Sequence, residues 1–359
     1  MQKMDLSLLR QKFRGSILGA LIGDCLGSPY ENEDMLTTGE KIVLQKAFDK
    51  LEGPEFKAPV KQFTDDSAMT MNVAQSLVEH QDLNLVDMAK KFVKSYYREP
   101  HRGYGPGVVT VFKKLRGNKF SDLIKPASEQ FDGTGSMGNG GAMRVSPIAL
   151  FCYNNYDRLI DMTKKATQLT HTHKEGVNGA ILQAIAVHQS LALNPNQPLD
   201  PIIYIDDLIK KMEAFEEDDE QYLDLDETEV KPYRFKLLYI KKTIDRCSMN
   251  NNVQDEEVIQ NLGNNVTALD SVPTAIFCFL RAQYPVNGIK TDNPMRRAIQ
   301  YAITLGGDTD TIASMTGAIA GAFYGDEKIS KSLLAHCESS MEFCDIADRL
   351  FDVTVTNKN

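Results

Sequence analysis

The chain has 359 residues, 42% hydrophobic and 25% charged, a balance that excludes a disordered chain and can bury one large core or two ordinary ones. No stretch offers the roughly 20 uninterrupted apolar residues of a membrane span, and the opening MQKMDLSLLRQKF has neither a signal-like apolar core nor an Arg- and Ser-rich transit pattern, so an intracellular protein without a membrane partner is expected. The formal charge of −9 is concentrated in residues 213–229, where ten acidic side chains and no basic one occur; the rest is near neutral and can receive an anionic ligand. That acidic run is expected to be a solvated surface insertion.

In chain order, the first predicted helix is RGSILGALIGDCLG, with glycines at Gly15, Gly19, Gly23 and Gly27. Glycine costs a helix interior about 1 kcal/mol against alanine, so a four-residue stripe implies close approach by another backbone. MTGAIAGAFYG repeats it at Gly317, Gly321 and Gly325, and two central helices packed by glycine faces are expected. After the first helix, Ser28-Pro29-Tyr30-Glu31-Asn32 carries Glu31 into a loop, where a glutamate is ordinarily just solvated. Next, Thr64-Asp65-Asp66-Ser67 opens the helical pattern AMTMNVAQSLVEH.

LVDMAKKFVKSYY and GVVTVFKKL continue with apolar residues at three- and four-residue spacing. A glycine-dense segment, 133–141, then leads into AMRVSPIALF, expected to start a helix. YDRLIDMTKKATQL, GVNGAILQAIAVHQSLAL, YIDDLIKKMEAF and RFKLLYIKKTIDRC are helical again. Gly306-Gly307-Asp308-Thr309-Asp310-Thr311 opens the last of these patterns, IASMTGAIAGAFYG. Strand-like alternation is scarce. The expected fold is all-α, a compact helical bundle forming one domain over residues 1–359. Six scattered cysteines without a CxxC pair suggest buried free thiols.

Two segments carry candidate chemistry. Asp65 and Asp66, with Thr64, sit at one predicted helix start; Asp308 and Asp310, with Thr311, sit at another. Capping alone explains one such Asp or Thr at a helix start. Two adjacent carboxylates repel, however, and a cap needs one. If folding joins the segments, their all-oxygen set suits Mg²⁺, Ca²⁺ or Mn²⁺ and could hold two ions. The glycine-dense segment contains Gly133, Gly135 and Gly138 in a formal GxGxxG, but no hydrophobic strand precedes it and no P-loop lysine follows, so a dinucleotide fold is not implied. Converging backbone N–H groups could still bind phosphate there; an ordinary loop is the alternative. His171 could contact a ligand or be a partly buried helix-end histidine, and His173 is expected to face solvent.

Taken together, GALIGDCLGSPYE, FTDDSAM, GSMGNGGAMR and LGGDTDT resemble the ADP-ribosylhydrolase (ADP-ribosylglycohydrolase) family, in the right order over nearly the whole chain. RGYGPGVVTVFKKL, LTHTHKEGVNGAILQA and SVPTAIFCFLRA look like its serine-specific vertebrate branch, which also degrades poly(ADP-ribose). The resemblance implies two Mg²⁺ ions held by Thr64, Asp65, Asp66, Asp308, Asp310 and Thr311, with Glu31 as the catalytic carboxylate on a mobile loop. It implies contacts to ADP-ribose from Asp65, Phe131, Thr134, Gly135, Ser136, Met137, Gly138, Asn139, Gly140, His171 and Val266. Met137 departs from the pattern, which favours an aromatic residue there. Expected partners are ADP-ribosylated proteins and poly(ADP-ribose), met by a monomer that binds no DNA directly, in nucleus and cytoplasm with the mitochondrial matrix as a further location. Arginine-specific hydrolysis, a catalytically silent reader of ADP-ribose and a metal-dependent phosphohydrolase are the competing readings.

Overall fold

The glycine stripes meet as expected. In the computed structural model, which describes residues 5–53, 57–216, 231–249 and 253–356, the first helix, Leu6–Gly27, lies against Thr309–Tyr324. A Cβ added at Gly15 would fall on the carbonyl oxygen of Gly321, one at Gly19 on that of Gly317, and one at Gly23 on that of Ala313. At the end of the stripe, a Cβ on Gly27 would stand 2.6 Å from the Cα of Asp310. The Thr309 hydroxyl donates to the Gly27 carbonyl at 2.9 Å. Close packing of these helices therefore sets the start of one, with its aspartates, against the end of the other. Gly325 closes the later helix at φ 76°, a left-handed position that favours glycine.

Around this pair stand the helices the apolar spacing predicts: Asp65–His80, Leu85–Arg98, Pro106–Gly117, Tyr156–Gln168, Lys174–Ala192, Pro201–Met212 and Pro232–Ser248. Among the described residues, five further helices of eight residues or more occur without having been singled out by period: Thr38–Glu52, Asp255–Leu262, Val272–Arg281, Pro294–Thr304 and Ser340–Thr356. Val272–Arg281 shows why. All its residues from Val272 to Leu280 are buried, so Thr274 is its one polar side chain before Arg281 and no polar face reveals a period. Among the described residues there are only isolated β-bridges and no strand, and one hydrophobic cluster runs from Leu9 to Phe351. The fold is all-α.

The glycine-dense segment leads into a helix start as expected, and two short helices follow, Gly140–Met143 and Ser146–Phe151, because the backbone leaves helical bonding around Arg144. Two local expectations are corrected. Most of the acidic run lies outside the described residues, but Glu216 is buried rather than solvated. Its carboxylate accepts from the amides of Tyr233 and Arg234, both at 2.8 Å, and so caps Pro232–Ser248. His173 is half-buried and caps Lys174–Ala192 by accepting from the Glu175 amide at 3.2 Å. No described helix is long and apolar enough to cross a membrane. Among the cysteines, Cys344 is half-buried; the other five are buried, and all six are free.

Candidate functional site

Both aspartate pairs face one cavity of about 430 Å³. Thr64 caps Asp65–His80, its hydroxyl accepting from the Asp66 amide at 3.3 Å. That turn is held from two sides. Buried Asp24, in the first helix, accepts from the Thr64 amide at 3.0 and 3.1 Å, from the Thr64 hydroxyl at 2.9 Å and from the Ser67 amide at 3.0 Å. On the other side, the Arg102 carbonyl accepts from the Asp65 amide at 2.7 Å. The Arg102 guanidinium, paired with Glu338 at 2.6 Å, donates to the Phe63 carbonyl at 2.9 Å.

Asp308 stands at the N-cap of Thr309–Tyr324, yet its side chain makes no capping hydrogen bond. Its carboxylate instead accepts from the Asn139 side-chain amide at 2.6 Å. The two segments meet where the Thr311 hydroxyl donates to Asp66 Oδ2 at 3.2 Å. Glu31 joins them from the loop after Ser28–Tyr30; carboxylate oxygens of Glu31, Asp308 and Asp310 lie within 4.8 Å of one another and could hold a metal ion. The Glu31 loop is tied to the second aspartate segment: the Asn32 amide donates to the Gly307 carbonyl at 2.8 Å, and the Gly307 amide to that of Glu33 at 2.9 Å. Gly306 and Gly307 make this possible at φ 71° and 73°, where a Cβ on Gly306 would strike Asp34 at 2.6 Å.

The electrostatics are those of a concentrated negative charge. Burial pushes the Asp24 carboxyl up to about 6, and burial with the neighbouring Asp24 charge pushes Asp65 up to about 8. Asp66 and Asp310 are raised well above the usual carboxylate range, chiefly by burial and then by neighbouring aspartates. Burial and the Asp308 charge raise Glu31. Among the described residues, none of Glu31, Asp65, Asp66, Asp308 and Asp310 has a basic partner in an ion pair. Asp66 Oδ1 is enclosed without any hydrogen-bond partner. An orphaned buried carboxylate oxygen in an all-oxygen cluster fits a divalent cation.

Of the expected ligand contacts, Asp65, Phe131, Ser136, Gly138, Asn139, Gly140, His171 and Val266 line the cavity with Glu31, Asp66, Asp308, Asp310 and Thr311. Thr64, Thr134, Gly135 and Met137 do not. Thr64 lies behind Asp66. Thr134 is exposed, its hydroxyl donating to the Phe131 carbonyl at 2.8 Å. Gly135 packs on Thr172 and His173. Met137 is 44% exposed, and its carbonyl accepts from the Ala268 amide at 2.9 Å.

The loop offers fewer phosphate donors than its glycines suggest, because five amides are already engaged. Gly133 and Gly135 donate to the Gln130 carbonyl, Thr134 to that of Phe131, Gly138 to the Ser136 hydroxyl and Asn139 to the Val266 carbonyl. Phe131 and Asp132 hold positive φ of 50° and 55°, conformations costly outside glycine, and Phe131 is 62% exposed.

Several contributors escaped the sequence reading. Asp24 was visible only as a charge inside an otherwise apolar, glycine-striped helix. Gly103, Tyr104, Gly105, Pro106, Gly107 and Val108 form another stretch of the wall; they belong to RGYGPGVVTVFKKL, which carried part of the resemblance, but none was given a role. Arg144, buried in the wall, closes the motif GSMGNGGAMR and was likewise given no role.

Residues 5–359 match the family model described as ADP-ribosylglycohydrolase. Curated relatives include "ADP-ribosylhydrolase ARH3" of Homo sapiens, 43% identical over 347 residues that cover 95% of this chain and 93% of the relative. The Mus musculus protein of the same name is 42% identical over 347 residues, 95% of this chain and 91% of the relative. A solved structure titled "ADP-ribosylglycohydrolase-related protein complex" superposes with a TM-score of 0.64 at 19% identity, covering 97% of this chain and 99% of that one; at that identity the likeness speaks to the fold.

Proposed function

This chain belongs to the ADP-ribosylglycohydrolase family, and from that premise we propose that it is a Mg²⁺-dependent hydrolase removing ADP-ribose from modified serine side chains and cleaving the O-glycosidic linkages of poly(ADP-ribose) and O-acetyl-ADP-ribose. The observation that carries this reading is the meeting of Asp65, Asp66, Asp308, Asp310 and Glu31 in one cavity beside a glycine-rich loop. The likeness to the vertebrate ADP-ribosylhydrolases supports the substrate class. The protein is read as one domain over residues 1–359, a monomer acting on ADP-ribosylated proteins and polymer in nucleus and cytoplasm.

Thr64, Asp65, Asp66, Asp308, Asp310 and Thr311 would hold two Mg²⁺ ions, which when bound supply Lewis acidity to the oxygens of the distal ribose and a more acidic water. The rest falls to the chain. Asn139 steadies Asp308 by its amide hydrogen bond. Glu31, raised by burial and by Asp308, has a carboxyl suited to exchanging protons nearer neutral pH. It gives its proton to the departing serine oxygen as the anomeric C–O bond breaks, and recovers one from the attacking water. The transition state has oxocarbenium character, and the carboxylate cluster stabilises its positive charge. Phe131, Ser136, Gly138, Gly140, His171 and Val266, together with Thr134 and Met137 at the rim and Gly135 in the same loop, hold the diphosphate and adenosine.

Specificity is tested by offering serine-linked and arginine-linked ADP-ribosyl peptides in one reaction and identifying products by mass spectrometry. Free ADP-ribose and unmodified serine peptide are expected first. The reverse ranking would move the chain to arginine-specific hydrolysis.

A further inference from the structure

Two buried side chains, Thr170 and the wall residue Arg144, dictate how one histidine presents itself to the ligand. His171 is 7% exposed, and its Nδ1 lies 2.6 Å from the Thr170 hydroxyl. The same hydroxyl receives a hydrogen bond from Arg144 Nη2 at 2.8 Å. Arg144 also donates to the carbonyls of Gly140 at 2.8 Å and Ala166 at 3.1 Å, and its guanidinium stands over the Phe92 ring, 4.9 Å from the centroid. The guanidinium only donates, so it fixes the direction of the chain. Thr170 oxygen accepts from Arg144, and its own buried proton needs an acceptor. Among the described residues, His171 Nδ1 is the acceptor within reach. Nδ1 is thereby unprotonated, and in the neutral ring the proton must sit on Nε2.

Nε2 is the nitrogen on the cavity side. It lies 3.2 Å from where a Cβ on Gly138 would stand and 3.1 Å from one on Gly140, so glycine at both positions leaves room for the ring. It has no hydrogen-bond partner among the described residues. The amides of Gly133, Thr134, Gly135, Gly138 and Asn139 are engaged elsewhere, so a side-chain donor adds to the few loop amides left for an anionic group.

We propose that Thr170 and Arg144 are positioning residues that lock His171 as the neutral Nε2–H tautomer, making it an uncharged donor to a phosphate oxygen of the ligand. Burial and the Arg144 charge push the His171 ring down to about 3, so the donor stays neutral across the physiological range. An uncharged donor orients the diphosphate without adding a second charge beside Arg144. The phosphate role rests on the ADP-ribose reading above; the tautomer does not.

The test pairs two readouts on the full chain. Nitrogen-15 spectra of histidine-labelled protein, with His171→Gln to assign the resonance among six histidines, report the tautomer directly. Calorimetry with ADP-ribose reports affinity. Expected in the unsubstituted protein are an unprotonated Nδ1 and a protonated Nε2, unchanged from about pH 5 to about pH 8. Thr170→Val, which keeps the shape and removes the hydroxyl, should lose the fixed Nε2–H signature and weaken ADP-ribose binding by roughly ten-fold or more; Thr170→Ser should restore both. A protonated Nδ1 in the unsubstituted protein would overturn the proposal even if every variant failed to fold. So would a Thr170→Val protein with unsubstituted tautomer and affinity. No ADP-ribose affinity in the unsubstituted protein, with the Nε2–H tautomer present, would overturn the phosphate role together with the functional reading.

Discussion

Asp24 grips Thr64 three times over: its carboxylate accepts from the Thr64 amide through both oxygens, at 3.0 and 3.1 Å, and from the Thr64 hydroxyl at 2.9 Å. A carboxylate in the glycine-striped helix thus fixes the turn that presents Asp65 and Asp66. Asp24→Asn keeps the volume but faces the Thr64 and Ser67 donors with an amide that is half donor. The fold should survive, while the concentration of Mg²⁺ giving half-maximal activity rises roughly 10–100-fold, as when an outer partner of a metal ligand is lost. A metal titration of activity equal to that of the unsubstituted protein would remove Asp24 from this role.

The carboxylate cluster should make metal-free stability fall as pH rises. Asp24 at about 6 and Asp65 at about 8 both lie above the ordinary value. Between the ordinary range and those values the folded state keeps protons that the unfolded chain has released. Stability is fully present at acidic pH and is lost as pH climbs through the folded values. In chelator, Tm should drop between about pH 5 and about pH 8, and Mg²⁺ should raise Tm more at the upper end, where it meets ionised carboxylates. A metal-induced rise in Tm that is larger at the acidic end would contradict this account of the cluster.

The glycine stripe should tolerate no side chain. In Gly19→Ala the new methyl would fall on the Gly317 carbonyl oxygen and stand 2.8 Å from the Met295 methyl, forcing apart two helices whose contact also sets the aspartates in place. A loss of about 1–3 kcal/mol or more is expected in denaturant unfolding. Gly39→Ala is the control: the nearest atom to its Cβ is the Thr37 hydroxyl oxygen at 4.0 Å, and stability should hold or gain up to about 1 kcal/mol. Equal effects of the two changes would sink the close-packing explanation.

How far the sequence anticipates this molecule depends on whether a feature is local. The stripes at Gly15, Gly19, Gly23 and Gly27 and at Gly317 and Gly321 identified each other as partners because backbone contact is the physical reason for paying the cost of such a repeat. The amphipathic helices were legible from their period, whereas Val272–Arg281, buried throughout as far as Leu280, was not. Asp65 with Asp66 and Asp308 with Asp310 stood out because capping could not explain carboxylates in such numbers. What stayed hidden is three-dimensional. Nothing along the chain says that Asp24 reaches Thr64, that Asn139 reaches Asp308, or that most of the glycine-loop amides are already engaged. Glu216 looked like one more solvated acid in an acidic run, and only the folded chain shows it capping Pro232–Ser248.

Glu31 separates chemistry from binding. Glu31→Gln keeps the side chain's size and removes its proton exchange, so kcat should fall roughly 10²–10⁴-fold with little change in ADP-ribose affinity. Single-turnover kinetics beside calorimetry on the same variant would read the two effects apart. A shift in affinity with turnover preserved would make Glu31 a gate, and no change in either would pass the acid/base role to Asp308 or Asp310.

The most direct test of the account is release of ADP-ribose from a serine-ADP-ribosylated peptide by protein stripped with chelator, assayed before and after Mg²⁺ is returned, alongside Asp66→Ala and Asp308→Ala. Stripped protein should be inactive and Mg²⁺ should restore free ADP-ribose and unmodified peptide, while both variants stay inactive at saturating metal. Full turnover in excess chelator, or turnover by either variant at the unsubstituted rate, would contradict a metal-dependent reaction at these carboxylates.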